Sequence, residues 1–498
     1  MSRILFSSFA AKGHINPIQA LAKGLVDLGH TGVWLARPMG AMTGRPDVPG
    51  VELRQIDWNW MPPGQELLFA GVARDFAKYV AFNLEGRVNS IEPLVPRYRR
   101  ALREFGADLL ITDGQISPAQ IAAHEEGIPY VCVLTSPAFL MPPGFACDLT
   151  RTLAAVAPRR AEIFERHGMP ANFAGWDYFS PYLNIAFVVP EFVRAGAPVP
   201  PRTLLAGRAI YLERSDDPRD FPWHRLAADR PLAYVSFGTL YWDQPDLFRI
   251  VARAAEALGL QLVAAMGPMA ETAFVEELPP STLAVRYAPQ LDLLKRAAVA
   301  VSHAGANTIA EALNEGVPQL AVPLCSDQPI NGYFLEQTGA GIAIAPGALT
   351  YENCRDALAR LLAPDGGPRA AAERLKRAYR ASDGVALALR HVLPLLSGDP
   401  AAPLDRPLRP AQRLERGAGG AEAVVDVDRD DARCAGGERA VQGGRPALSD
   451  AVADRGGNRD DEAGNGAGKD REQRPLHAGD GDDHGKGRDL LDAVEQAP

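Results

Sequence analysis

The sequence predicts an α/β protein made of two doubly wound halves. Three observations lead there. Strand–helix–strand units of crossover length recur along the first half of the chain. A second set of alternating elements starts at Leu232, after a stretch rich in Pro, Arg, Asp and Gly at 194–231. The chain has 498 residues, too many for one ordinary domain and enough for two or three.

In order, residues 3–8 (RILFSS) read as a buried strand. A loop from Phe9 to Pro17 leads into a helix whose apolar face is Ile18, Leu21, Ala22, Leu25, Val26 and Leu28, with Gly29 as its stop. Val33-Trp34-Leu35 reads as the second strand. The unit repeats as Asp108–Thr112, a helix around Pro118–Glu126, and Tyr130–Leu134. Between the two units, Leu68, Val72, Phe76, Val80 and Phe82 among charges predict helices flanking a cleft. Residues 137–185 show no clear periodicity. Their aromatics Phe139, Phe145, Phe173, Trp176, Tyr178 and Phe179 read either as core or as an apolar ligand pocket. In the second half come the strand from Leu232 to Gly238, a helix at about 246–258, the strands LQLVAAMG and LAVRYAP, and one more helical stretch at 369–396. From Ala401 to Pro498 there is no Phe, Trp, Tyr, Ile or Met, so this segment cannot bury enough apolar surface to offset its ordering entropy, and disorder is expected. Its arginines far outnumber its two lysines, Lys469 and Lys486, which also fits a GC-rich frame translated out of register. Resequencing across codon 400 tests that hypothesis. The Asp-Val-Asp at 426–428 is read as chance.

Composition excludes several classes. Hydrophobic residues at 47% and charged residues at 23% fit a globular enzyme. A formal charge of −9 gives no basic footprint for nucleic acid. Five cysteines, Cys132, Cys147, Cys325, Cys354 and Cys434, show neither metal-ligand nor disulfide spacing and read as free thiols of a reducing cytosol. The first residues are too short an apolar run for a signal peptide, and no stretch reaches the roughly 18–20 apolar residues of a membrane span. A cytoplasmic protein is expected.

The most informative stretch is Val301 to Gln328, VSHAGANTIAEALNEGVPQLAVPLCSDQ. An apolar strand, Ala298–Val301, runs into His303-Ala304-Gly305-Ala306-Asn307-Thr308, and a helix follows to Glu315. A strand, a Gly-containing turn and a helix start make an anion site, because free backbone N–H groups and the helix dipole point outward together. His303 and Thr308 add side-chain donors there. Glu311, one turn further in, offers a carboxylate to a vicinal diol. Together these predict a nucleoside diphosphate carrying a ribose.

At His303, Gly305, Asn307, Thr308, Glu311, Gly316, Val317, Pro318, Pro323, Asp327 and Gln328 the segment resembles the donor-binding signature of the UDP-glycosyltransferase superfamily. The likeness covers about residues 3–396. It implies a GT-B fold: two Rossmann-like domains facing a cleft, acceptor-binding at 1–215 and UDP-sugar-binding at 216–398, followed by the disordered tail at 399–498. Gly13-His14-Ile15-Asn16-Pro17 resembles the family's catalytic loop, whose His is the base, and Asp113 matches its partner carboxylate. Taken alone, His14 reads as a helix-capping or structural residue; its place after strand one and the distant donor signature turn that reading toward catalysis. The resemblance further implies that Thr239 and His303 hold the diphosphate with the backbone near Asn307 and Thr308. Tyr287 and Gln290 would cradle the base, and Asp327 and Gln328 would hold the sugar hydroxyls, with Gln328 favouring glucose. Tyr287 stands where many relatives have Trp. Ala304 and Ala306 replace the Cys and Trp common in plant members, which marks a bacterial type.

The chemistry implied is inverting displacement at the anomeric carbon, with the acceptor hydroxyl deprotonated by His14 and the leaving diphosphate stabilised by preorganised donors. No cofactor or metal is expected, the UDP-sugar being a co-substrate. Glu311 favours UDP over dTDP, which lacks the ribose 2′-OH. The expected partners are the UDP-sugar, probed first as UDP-glucose, and a hydrophobic hydroxylated small molecule, with no nucleic acid. Peripheral membrane contact and oligomeric state stay open. Ser236-Phe237-Gly238-Thr239-Leu240, Asp246-Leu247-Phe248-Arg249 and Ser326-Asp327-Gln328-Pro329 resemble carotenoid (zeaxanthin) glucosyltransferases. The alternatives are transfer of another sugar such as rhamnose or an aminosugar, a catalytically silent transferase-like partner protein, and a sugar-nucleotide epimerase.

Overall fold

The computed structural model describes residues 1–36, 46–56, 75–193, 198–210, 220–238, 241–364 and 366–397. The expectations for Leu68, Val72, Thr239, Cys434, the division at 215/216 and the tail at 399–498 lie outside these residues.

The first half is a parallel sheet of β1 (Arg3–Ser7), β2 (Thr31–Ala36), β3 (Val51–Gln55), β4 (Leu109–Asp113), β5 (Tyr130–Leu134), β8 (Leu183–Ala186) and β9 (Thr203–Leu205), in the order β3-β2-β1-β4-β5-β8-β9. A small antiparallel pair, β6 (Phe173–Ala174) and β7 (Asp177–Tyr178), lies beside it. The second half repeats the plan with β10 (Leu232–Ser236), β11 (Gln261–Ala265), β12 (Thr282–Val285), β13 (Ala297–Ser302), β14 (Gln319–Ala321) and β15 (Gly341–Ala343), in the order β12-β11-β10-β13-β14-β15. In each sheet the strand order reverses beside the first strand, between β1 and β4 and between β10 and β13. Such a reversal opens a crevice beyond the carboxyl ends of the strands, because the connecting helices leave in opposite directions.

Both faces of the first sheet are covered at its centre, so β1, β4, β5 and β8 are buried and mostly apolar, while the edge strand β3 carries Glu52, Arg54 and Gln55. Ile4 and Phe6 pack with α1 (Lys12–Asp27), while Leu5 faces α2 (Phe76–Asn89) and α3 (Ile91–Phe105) across the sheet. α4 (Ser117–Glu125) lies beside α3. The second sheet carries α6 (Pro245–Ala257), α7 (Gln290–Leu294), α8 (Ala306–Glu315), α9 (Gln328–Thr338) and α10 (Tyr351–Leu362).

Three expectations change. The supposed loop from Phe9 to Pro17 is mostly helix, because α1 begins at Lys12 and includes Pro17. The aperiodic stretch at 137–185 contains the 19-residue α5 (Asp148–Arg166). Its stripe of Leu149, Leu153, Val156, Ile163 and Phe164 is broken in sequence by Pro158 and by Arg160, which is buried rather than exposed. The single helical stretch at 369–396 is two helices, α11 (Gly367–Ala381) and α12 (Gly384–Leu396), broken at Ser382 and restarted by Asp383, whose side chain accepts from Ala386 N. α12 returns to the first half, where Ala388 and Val392 join the core beneath α1. Gly24 allows this approach, since a Cβ there would sit 2.9 Å from Leu389 Cδ1.

Candidate active site

His14 stands in the first turn of α1, just beyond β1, and Asp113 is the last residue of the neighbouring β4. This is the reversal point of the first sheet. His14 Nδ1 is bonded to Asp113 Oδ2, and Thr135 Oγ1 lies 3.3 Å from the same nitrogen. The other carboxylate oxygen accepts from Gln115 N at 2.9 Å, and Asp113 is fully buried. A carboxylate held on both oxygens fixes the imidazole with Nδ1 toward it, leaving Nε2 without a hydrogen bond among the described residues. Phe9 meets the ring edge-on at 5.3 Å.

The reversal point of the second sheet holds His303, just beyond β13. Its ring is wedged between two glycines: an added Cβ would come within 2.7 Å of Nε2 at Gly305 and 2.9 Å at Gly238. Burial pushes its pKa down to about 4, so the ring is neutral at ordinary pH, and Nδ1 has no partner among the described residues. α8 starts next to it without a side-chain cap, Gly305 being the N-cap residue. Ala304, between the two, is held in the left-handed region at φ 63°, a conformation that costs a non-glycine residue about 1–2 kcal/mol.

The halves meet here. Asn307 Nδ2 donates to Gly13 O and, more weakly, to Lys12 O, at 3.4 and 3.5 Å. Gly13 O is available because the residue four positions on is Pro17, which has no N–H to offer it. The Gly-His-x-x-Pro pattern therefore leaves a backbone acceptor at the domain junction.

His14, His303, Gly305, Asn307, Asp327 and Gln328 all line one cavity of about 270 Å³, with Asp113 directly behind His14. Gln328 turns its Oε1 to Leu324 N and Cys325 N, which fixes the loop before α9. Besides Asp113, four of the predicted residues that are described are not in its lining. Gln290 Nε2 donates to Glu311 Oε2 at 2.6 Å and its Oε1 accepts from Tyr234 OH, so Glu311, only 5% exposed, is engaged within the protein. Tyr287 is 48% exposed nearby. Thr308 is half-buried in the first turn of α8.

The cavity also has residues that the sequence reading missed. Arg87 projects from α2, donates to Gln115 Oε1 at 2.8 Å and stacks on Phe9 at 4.1 Å. Asp177 is buried, one of its oxygens unpartnered, and burial followed by the nearby Asp113 raises its pKa well above the carboxylate range. Of the six aromatics in the aperiodic stretch, only Trp176 lines the cavity; Phe139, Tyr178 and Phe179 are core. Arg87 shares its helix with Lys78 and Glu85, so nothing in the sequence singles it out.

Residues 211–366 match the family described as UDP-glucoronosyl and UDP-glucosyl transferase. The chain is a glycosyltransferase, and over these residues it is similar to that superfamily. It is 25% identical to the oleandomycin glycosyltransferase of Streptomyces antibioticus over 372 residues, covering 71% of this chain and 82% of that one. The NDP-glycosyltransferase YjiC of Bacillus licheniformis is 25% identical over 285 residues, 56% of this chain and 70% of its own. The solved kitacinnamycin glycosyltransferase superposes with a TM-score of 0.61 at 23% identity, over 79% of this chain and 99% of that one. The transferase fold thus extends through both sheets. The four cysteines among the described residues are buried and free, and no helix among those residues is long and apolar enough to cross a membrane.

Proposed function

We propose that this glycosyltransferase moves a hexose, glucose first among the candidates, from a UDP-sugar to a hydroxyl of a hydrophobic small molecule, with inversion. The observation that carries the reading is the shared cavity: the His14–Asp113 pair and the His303–Gly305–Asn307 turn face the same space from opposite halves. His14 Nε2 takes the acceptor proton, and Asp113 stabilises the imidazolium that results. The acceptor oxygen attacks the anomeric carbon, and the bond to the diphosphate breaks on the opposite face. The leaving diphosphate meets the open start of α8 and the neutral His303 ring, which donates without carrying charge. No step uses a metal, and the setting proposed is cytoplasmic.

The acceptor class follows from the relatives and the lining. One relative is named for oleandomycin and another is the 4'-demethylrebeccamycin synthase of Lentzea aerocolonigenes, which favours natural-product acceptors. Tyr79, Met141, Leu149 and Trp176 give the acceptor side an apolar wall. The carotenoid-like acceptor rests on the sequence likeness alone and belongs to the same apolar class. A second reading, a deoxysugar on another nucleotide, is favoured by one observation. Glu311, the expected ribose ligand, already binds Gln290, and one relative is a demethyllactenocin mycarosyltransferase of Streptomyces fradiae.

The test incubates the protein with UDP-glucose or dTDP-glucose and a panel of hydroxylated apolar acceptors, zeaxanthin included, with products read by mass spectrometry. A hexose added only from UDP-glucose, and lost in His14→Ala, supports the proposal. Transfer only from dTDP-sugars would replace it with the second reading.

A further inference from the structure

Asn331, in the first turn of α9, is completely buried and spends its amide in three directions. Its Nδ2 donates to Asp327 Oδ2 at 2.8 Å and to Ala304 O at 3.0 Å. Its Oδ1 accepts from Ser136 Oγ at 2.9 Å, and Ser136 belongs to the acceptor half. Each partner occupies a telling place. Asp327 lines the cavity, and its second carboxylate oxygen makes no hydrogen bond among the described residues. Ala304 is the left-handed residue that sets His303 and Gly305 at their angle. Ser136 follows Thr135, which touches His14, and its hydroxyl also caps the turn at Pro137–Leu140 by accepting from Ala138 N.

A buried amide with its donors and acceptor all matched is a rigid joint, because any rotation leaves a polar group unsatisfied in a low-dielectric site. Here the joint ties a sugar-side carboxylate, a diphosphate-side turn and the strand end beside the base. We propose that Asn331 is the positioning residue that aims Asp327 at the donor sugar and, through Ser136, transmits sugar occupancy to the acceptor half. The inference rests on the reading of Asp327 as a sugar-holding residue. It requires that occupancy by sugar, and not by nucleotide alone, be felt at residues 135–140.

The experiment measures affinities for UDP and UDP-glucose by calorimetry in wild type, Asp327→Asn, Asn331→Ala and Ser136→Ala. Amide hydrogen exchange of 135–140 is followed with each ligand at saturation. Asn331→Ala should weaken UDP-glucose about tenfold more than UDP, as Asp327→Asn does. Ser136→Ala should leave both affinities within about twofold, yet abolish the protection that UDP-glucose, but not UDP, confers on 135–140. Equal weakening of both ligands in Asn331→Ala, or wild-type protection in Ser136→Ala, overturns the proposal. If Asp327→Asn keeps the full sugar increment, the underlying sugar reading falls and takes the aiming role with it, while the exchange result still decides the tie to Ser136. Should Asn331→Ala fail to fold, Ser136→Ala, which removes one of the three bonds together with the cap on Ala138 N, carries the test through the difference in exchange between UDP-glucose and UDP.

Discussion

The two halves place a histidine at the same topological address and make different groups of it. Each follows a strand at the point where the sheet order reverses. His14 has a buried carboxylate on Nδ1 and a side chain still 23% exposed, and the proposed reaction makes it the base. His303 sits between Gly238 and Gly305 with no carboxylate bonded to it among the described residues, and burial holds it neutral, its pKa pushed down to about 4. The address is set by topology; the chemistry is set by the partner.

The sharpest way to break this contrast is to remove the first ring. His14→Ala should lower kcat by about a thousandfold, within the usual worth of a general base, while the affinity for UDP stays unchanged by calorimetry. A comparable loss in UDP affinity would show that His14 acts on the donor, and the division of labour would fail. Asp113→Asn should come next, at about a hundredfold in kcat. The amide can still orient the ring but cannot stabilise the imidazolium, and the loss should appear in kcat rather than in donor KM.

His303 should respond differently. His303→Ala is expected to weaken UDP by about tenfold. In the wild type the contribution of this ring to UDP affinity should be flat between about pH 6 and pH 8, because a group with pKa near 4 does not titrate there. The sign for stability follows from the same depression. The unfolded ring has the ordinary value of 6.5 and binds protons more readily than the folded one, so stability is intact above about 6.5 and falls as pH drops toward 4. Acid melts of His303→Gln, compared with wild type, should show a shallower fall in that window. A fall of the same slope would mean that other groups carry it.

The same contrast explains what the sequence could disclose. The turn proposed to hold the diphosphate is contiguous in the chain, so strand, glycine, helix start and carboxylates could be read at fixed spacing from His303 to Gln328. His14 and Asp113 were singled out by the family resemblance, and the structure brings them together from the first turn of α1 and the end of β4. Arg87, Gln115 and Asp177 come from three separated elements and meet only in the folded cavity, so no spacing announces them. α5 was missed because buried Arg160, donating to Trp176 O at 2.7 Å and stacked on Phe173 at 3.7 Å, occupies a position that an apolar stripe would fill. Glu311 was placed on the right helix, yet its partner Gln290 is 21 residues away and turns the carboxylate toward the protein.

Helix starts give the smallest and most discriminating comparison. α1, α8 and α9 begin at the cavity without a side-chain cap, whereas α12, in the scaffold, begins with Asp383 Oδ1 bonded to Ala386 N at 3.0 Å. The orphan N–H groups of a helix start need partners; at α12 the chain supplies one, and at α8 the proposal assigns that role to the ligand. Asp383→Ala should therefore cost about 1 kcal/mol, seen as a melting temperature lower by roughly 2 °C, with kcat and UDP affinity untouched. UDP should raise the melting temperature of this variant by as much as it raises the wild type's, since the lost cap and the donor site lie on different helices. A change in UDP affinity on removing Asp383 would show instead that α12, though packed on the first sheet, helps to set the geometry of the cavity.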